Sequence, residues 1–171
     1  MSQHDLIALT RLDGAEEHLA RARRIAGAVP DGAPDPSALH HIGVLGAGAM
    51  GRGIAMAMAQ SGRQVVLADP SAPQRRAAAD HLRGLAERAR SKGRIASIRG
   101  LMDRISLTDR IADFAPCQMV IEAVPERLDL KQQVLNEIES VTAPTAIVTS
   151  NTSTLDVDAL AGALTRPGQF A

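Results

Sequence analysis

Aromatic residues are almost missing from this chain: it has no Trp and no Tyr, and its two Phe stand at 114 and 170. A core made without them must be assembled from Ala, Val, Leu, Ile and Met. Cysteine is nearly absent too. The single Cys117 excludes an internal disulfide and a cysteine metal cluster, and its place at the head of an apolar run predicts a buried, inert thiol. Neither sign of charge is in excess, since 19 basic and 19 acidic residues give a formal net charge of zero. No electrostatic footprint therefore points to nucleic acid or to an anionic membrane surface. No apolar run is long enough to span a bilayer. The N-terminus carries Asp5, Asp13, Glu16 and Glu17 without a long apolar core, which does not fit a secretory signal; the cytoplasm is the expected compartment. A length of 171 residues, with 45% apolar and 22% charged, suits one ordinary globular domain.

Glycine, by contrast, is present where it matters. The stretch His41-Ile42-Gly43-Val44-Leu45-Gly46-Ala47-Gly48-Ala49-Met50-Gly51 reads as a short apolar strand, a glycine turn and the start of a helix. Gly46, Gly48 and Gly51 fit G-x-G-x-x-G. The first permits the tight turn, the second lets a pyrophosphate approach the backbone, and the third lets the helix pack on the strand. The helix beyond presents free N–H groups and the positive end of its dipole to phosphates. Residues 64–68 read as a second strand ended by Asp69, about 20 residues past the glycines, where a ribose-binding carboxylate belongs. An ordinary strand–helix–strand unit with a chance acid is the plain alternative. The combination of strand, glycines, helix and acid favours a dinucleotide site.

The rest of the chain fits around that unit. Asp13 and Glu16 resemble a capping box, and Ala15, Leu19, Ala22, Ile25 and Val29 follow helical spacing. Three prolines and a glycine in 30–36 end that helix. The expected organisation is an N-terminal helix and Pro-rich linker over 1–38 and a nucleotide-binding domain over 39–171. Within the domain, helices are predicted at 49–61, 73–91, 95–103, 129–141 and 156–164. The pair 73–103 is expected as a helical hairpin standing off the sheet. Strands are predicted at 41–46, 64–69, 105–108, 118–122 and 146–149. They should form a Rossmann-type, doubly wound α/β fold with a parallel sheet in order 3-2-1-4-5. Glu122-Ala123-Val124-Pro125-Glu126 and Ser150-Asn151-Thr152-Ser153 both fall at C-terminal strand ends, where open parallel sheets bind ligands.

The glycine turn continued as Met50-Gly51-Arg52-Gly53-Ile54-Ala55 is one of several features that resemble the NAD-dependent 3-hydroxyacyl-CoA dehydrogenases. The others are the long helical insert, the run from Val120 to Glu126, and Ser150-Asn151-Thr152-Ser153. Over roughly 40–171 the chain is similar to the NAD-binding domain of that family, and 14–38 looks like the connector before this domain in multifunctional β-oxidation enzymes. The resemblance implies NAD as cofactor, an acyl-CoA substrate, and oxidation of its 3-hydroxyl to a ketone. It implies that Gly46, Gly48, Ala49, Met50 and Gly51 hold the cofactor and that Asp69 holds the adenosine ribose. It also implies that Glu126 and Lys131 contact the cofactor, and that Ser153 meets the nicotinamide side and the substrate oxygen. Other readings stay open: Glu126 as a first-turn charge favoured by the helix dipole, Lys131 as a solvated helix residue, and Ser153 as a cap for the helix near Asp156. Arg88, Arg90 and Lys92 suit either coenzyme A phosphates or a solvated face.

The family's catalytic histidine lies in a His-Phe-Phe-Asn-Pro stretch just past the point matching Ala171. No match to it occurs here, and His4, His18, His40, His41 and His81 do not fall at that place. The expectation is a truncated chain that binds NAD without turnover on its own. A non-catalytic dinucleotide-binding module and a fragment of a β-hydroxyacid dehydrogenase are the alternatives. No metal site is expected. The sheet edge beside 146–149, where the family's next strand would pair, is expected to be exposed and prone to association.

Overall fold

Strand β1 (His41–Leu45) is the hub of the sheet in the computed structural model, which describes residues 36–171. All but its first residue are buried. It pairs in parallel with β2 (Gln64–Ala68) on one side and β4 (Met119–Glu122) on the other. Strand β3 (Ile105–Thr108) pairs outside β2, and β5 (Ile147–Ser150) outside β4. The order is β3-β2-β1-β4-β5, all parallel, as the sequence predicts. Helix α1 (Ala49–Gln60) joins β1 to β2, and α2 (Ala72–Ser91) and α3 (Ile98–Met102) join β2 to β3. Helix α4 (Leu128–Val141) joins β4 to β5, and the short α5 (Val157–Ala161) follows. The helix expected over 13–29 and most of the linker lie outside the described residues.

Side chains alternate across the sheet and feed two cores. On one face Ile42, Val44, Val65 and Leu67 meet Ala55, Met56 and Ala59 of α1. Ala78, Leu82 and Ala86 of α2 and Leu101 of α3 belong to that same cluster. The insert is a helix pair, but it does not stand off the sheet as expected. Its stripe Ala78, Leu82, Ala86 and Ala89, at spacings of four, four and three, is buried, and the alanines let α2 lie close to α1. On the other face Leu45, Val120 and Val148 meet Val134, Leu135 and Ile138 of α4. Phe114, from a 3-10 turn (Ile111–Phe114) that the sequence reading lacked, is fully buried there. Its place depends on Gly43, where a Cβ would fall 2.7 Å from the Phe114 ring. Cys117 is buried in the same layer, and burial pushes its thiol up to about 11.

The chain's last residues return to the sheet. Phe170 bridges Val148 in parallel, the Ala171 N–H donates to the Val148 carbonyl (3.0 Å), and the Ser150 N–H donates to the Ala171 carbonyl (3.1 Å). The edge of β5 expected to be exposed is therefore partly occupied by the chain itself. A buried carboxylate steers this return. Glu139 of α4 accepts from the N–H and hydroxyl of Thr165 (2.9 and 2.6 Å) and the N–H of Arg166 (2.6 Å). The Arg166 guanidinium pairs with Glu139 at 3.4 Å and donates to the carbonyls of Ala143 and Glu139. Burial opposes ionisation of Glu139, but the Thr165 hydroxyl, the two N–H groups and the Arg166 charge outweigh it and hold its carboxyl low.

Candidate functional site

The chain leaves β1 for β2 on one side of the sheet and returns to β4 on the other, so the C-terminal ends of β1 and β4 mark a topological switch point. A cleft of about 880 Å³ opens there. Gly46, Gly48, Ala49, Met50 and Asp69 line one wall, and Ala123, Val124 and Pro125 face them. Ile111, Leu130 and Val134 add an apolar end, with Asp109, Gln74, Gln133 and Glu137 also lining the cleft.

Each glycine of the turn has a distinct physical constraint. Gly46 sits at φ +104, and a Cβ on it would lie 2.6 Å from the Ala123 carbonyl oxygen. At Gly51 a Cβ would fall 1.8 Å from the Gly46 carbonyl oxygen, so this glycine seats α1 against the turn from behind and does not line the cleft. Gly48 is the opposite case: a Cβ there would meet nothing within 4 Å. Its bare Cα faces open space in front of the helix. Gly48 is also the N-cap of α1 and offers no side chain to the first-turn N–H groups, which leaves them for an incoming anion.

Asp69 binds the turn as well as facing the cleft. Its Oδ2 accepts from the Ala47 N–H and its Oδ1 from the Ser71 N–H, both at 2.9 Å. A carboxylate has about four acceptor sites, so each oxygen keeps one for a ligand hydroxyl. The first turn of α2 lies alongside. Arg75 Nη1 donates to the carbonyls of Asp69 (2.7 Å) and Pro70 (3.0 Å), and Nη2 pairs with Asp109 at 3.2 Å.

Beyond Pro125 the polar groups form a second cluster. Lys131 and Glu122 are 1% and 0% exposed and meet at 2.8 and 2.9 Å. Lys131 Nζ also donates to the Val124 carbonyl (3.3 Å) and lies 3.3 Å from Glu126 Oε2. Glu122 accepts in addition from the Ser150 hydroxyl (2.6 Å) and the Val124 N–H (2.5 Å). Lys131 is thus not a solvated helix residue, and it faces Glu122 rather than the cleft. Glu126 precedes α4, and its Oε1 accepts from the Thr152 hydroxyl (2.5 Å), the Ser153 N–H (3.1 Å) and the N–H and hydroxyl of Thr154 (3.2 and 3.1 Å). The Thr152 hydroxyl, then the two N–H groups and Lys131, hold its carboxyl down at about 2 against its desolvation. Ser153 is exposed, and Asp156, not Ser153, caps α5.

The sequence sets Glu122 and Ser150 at ligand-side strand ends but assigns neither a partner, although a carboxylate ending an apolar strand was a usable signal for the buried pair with Lys131. Asp109 was missed. His40 and His41 lie at the N-terminal end of β1, and His81 is exposed on α2. Among the described residues no His/Cys/Asp/Glu group is arranged to hold a metal, and no helix is long and apolar enough to cross a membrane.

Comparison with known proteins agrees with this fold. Residues 41–171 match the family model described as 3-hydroxyacyl-CoA dehydrogenase, NAD binding domain. A 3-hydroxybutyryl-CoA dehydrogenase of Bradyrhizobium diazoefficiens is 37% identical over 132 residues, 75% of this chain and 45% of its own length. A peroxisomal bifunctional enzyme of Cavia porcellus is 37% identical over 131 residues, 75% of this chain and 18% of its own. The crystal structure of (S)-3-hydroxybutyryl-CoA dehydrogenase from Ralstonia eutropha superposes with a TM-score of 0.74 at 30% identity, over 78% of this chain and 48% of that one. The chain spans less than half the length of the curated relatives it matches. With residues 41–171 matched, the chain belongs to the NAD-binding domain family of the 3-hydroxyacyl-CoA dehydrogenases.

Proposed function

We propose that this chain is the cofactor-binding part of an NAD-dependent oxidoreductase that converts (S)-3-hydroxyacyl-CoA to 3-ketoacyl-CoA in fatty-acid β-oxidation. The observation that carries the reading is the open space in front of Gly48, bounded by uncapped helix N–H groups on one side and Asp69 on the other. These residues suit a dinucleotide: Gly48 and the start of α1, with Ala49 and Met50, take the pyrophosphate, and the spare lone pairs of Asp69 take the ribose hydroxyls. Ile111, Leu130 and Val134 enclose the adenine. Bound NAD supplies the acceptor for the hydride leaving the 3-carbon. Glu126 and Ser153 serve the nicotinamide end, the Ser153 hydroxyl hydrogen-bonding the substrate oxygen, and Lys131 completes that end from behind Glu126. Arg88 and Lys92, which line a groove with Arg94 between α1 and the end of α2, are assigned to coenzyme A phosphates, and Arg90, two residues on along the helix, lies outside that groove and is left to a solvated face. A cytoplasmic location belongs to the same reading.

The proton of the 3-hydroxyl must leave as the ketone forms. A positioned general base is worth about 10²–10⁴-fold, and no histidine among the described residues stands at the cleft. The chain by itself therefore binds NAD and turns over substrate far more slowly than a relative with the base in place. Calorimetry with NAD and NADP on the wild type and Asp69→Ala, with NADH absorbance followed in 3-hydroxybutyryl-CoA, tests this. Asp69→Ala should weaken NAD binding more than NADP binding, because the carboxylate accepts from the ribose hydroxyls and repels a 2′-phosphate. Equal loss for both would remove Asp69 from the ribose site, and turnover near that of a full-length relative would mean that a base is present. NAD binding without turnover, even when a separate C-terminal domain is added, would favour a non-catalytic module.

A further inference from the structure

The adenosine end of the cleft holds a second carboxylate and a cation that nothing in the cofactor site requires. Asp109 follows β3 and lines the cleft with Asp69, Pro70 and Gln74. Arg75, the residue after Gln74, does not itself line the cleft, but its guanidinium is committed to three acceptors on residues that do: the Asp69 carbonyl at 2.7 Å, the Pro70 carbonyl at 3.0 Å and Asp109 Oδ2 at 3.2 Å. The Arg75 side chain is 21% exposed and the Asp109 side chain 56%. A guanidinium beside a ribose-binding acid is a potential phosphate receptor, because its planar fork matches phosphate oxygens. Left free, Arg75 would offset the repulsion that Asp69 exerts on a 2′-phosphate. Asp109 draws that guanidinium onto itself and adds its own negative charge to the same end of the cleft.

We propose that Asp109 is a specificity-determining residue, which latches Arg75 away from the ribose and so keeps the cleft selective for a dinucleotide without a 2′-phosphate. The proposal rests on the reading of the cleft as the NAD site. It acts through position: Arg75 is held against backbone carbonyls on one side and a carboxylate on the other, and release of the carboxylate frees Nη2 to swing toward the ribose.

The test is calorimetric titration of NAD and NADP into the wild type, Asp109→Ala, and Asp109→Ala with Arg75→Ala. The ratio of NADP to NAD affinity should rise about tenfold in Asp109→Ala, the worth of one charge-assisted hydrogen bond. It should fall back toward the wild-type ratio when Arg75 is also removed. If the wild type binds no NAD, the cleft reading fails and takes this proposal with it. A wild type that binds NAD, with an unchanged ratio in Asp109→Ala, overturns the latch and leaves the cleft reading standing. A gain that survives removal of Arg75 also overturns the latch, since Asp109 would then act by charge alone. Should Asp109→Ala lose NAD binding altogether, Asp109→Asn keeps the shape and is titrated in its place with the same two outcomes.

Discussion

Lys131 illustrates what a single residue does here. A cation that is 1% exposed, with a carboxylate on one side and a carbonyl on the other, has left water at a large cost. A well-packed apolar pair of the same volume would be no less stable, so the pair is weak evidence for stability as such. Breaking it is another matter. Lys131→Met strands Glu122 at the buried C-terminal end of β4 with only the Ser150 hydroxyl and the Val124 N–H for partners, and should cost about 3–5 kcal/mol. Urea unfolding followed by circular dichroism measures this, and Glu122→Leu added to Lys131→Met should restore much of the loss. A single-mutant cost below about 1 kcal/mol, the scale of exposed pairs, would place the Lys131 amine in solvent. The sequence shows this pair poorly for a physical reason. Gly46, Gly48, Gly51 and Asp69 are legible because their work is local and set by spacing. Glu122 and Lys131 are joined only when a strand, a loop and a helix turn fold together, and neither residue type is expected inside.

At the scale of elements, the loop after β5 is held to the start of α4 by one carboxylate. Glu126 takes four hydrogen bonds from Thr152, Ser153 and Thr154. Its carboxyl is lowered from 4.5 to about 2 in the fold. A depressed value means that the contribution is fully present above 4.5 and is lost as pH falls through about 2. The amide resonances of Ser153 and Thr154 should therefore hold their positions through ordinary carboxylate titration and move only near pH 2. Movement centred near 4.5 would mean that Glu126 is not clamping the loop. Elements also mark where sequence reading gave out. The stripe Ala78, Leu82, Ala86 and Ala89 on α2 is too weakly apolar, among Arg76, Arg83, Arg88 and Arg90, to announce burial, so the insert looked detached. The turn at Ile111–Phe114 is too short for any period to show, though it delivers the one buried aromatic side chain.

At the scale of the whole molecule, the ligand edge is where separate strand ends are brought into register, and the β5 end is fixed from outside the sheet. Glu139 and Arg166 bring the chain back to the β5 edge, where Phe170 and Ala171 add the beginning of another parallel pairing. Glu139→Ala removes an acceptor from three donors and from Arg166, and should lower stability by about 1.5–3 kcal/mol. It should also release the return. Hydrogen exchange at the Ser150 amide, which donates to Ala171, should then quicken while exchange in β1 and β2 stays slow. Uniform quickening across the sheet would mean that Glu139 supports the global fold instead. An edge freed in this way is a template for strand pairing with another chain, so the variant should also aggregate at lower concentration.

Cys117 gives the molecule a built-in clock. It is the one thiol in the chain, buried in the same layer as Phe114 and held at about 11, so at neutral pH it is both hidden and protonated. Only a thiolate in contact with solvent reacts. Each alkylation event therefore records an opening of the layer packed by Phe114, Val120 and Leu135, and the labelling rate measures how often that layer parts. The unmodified protein thus reports its own breathing, with no engineered probe.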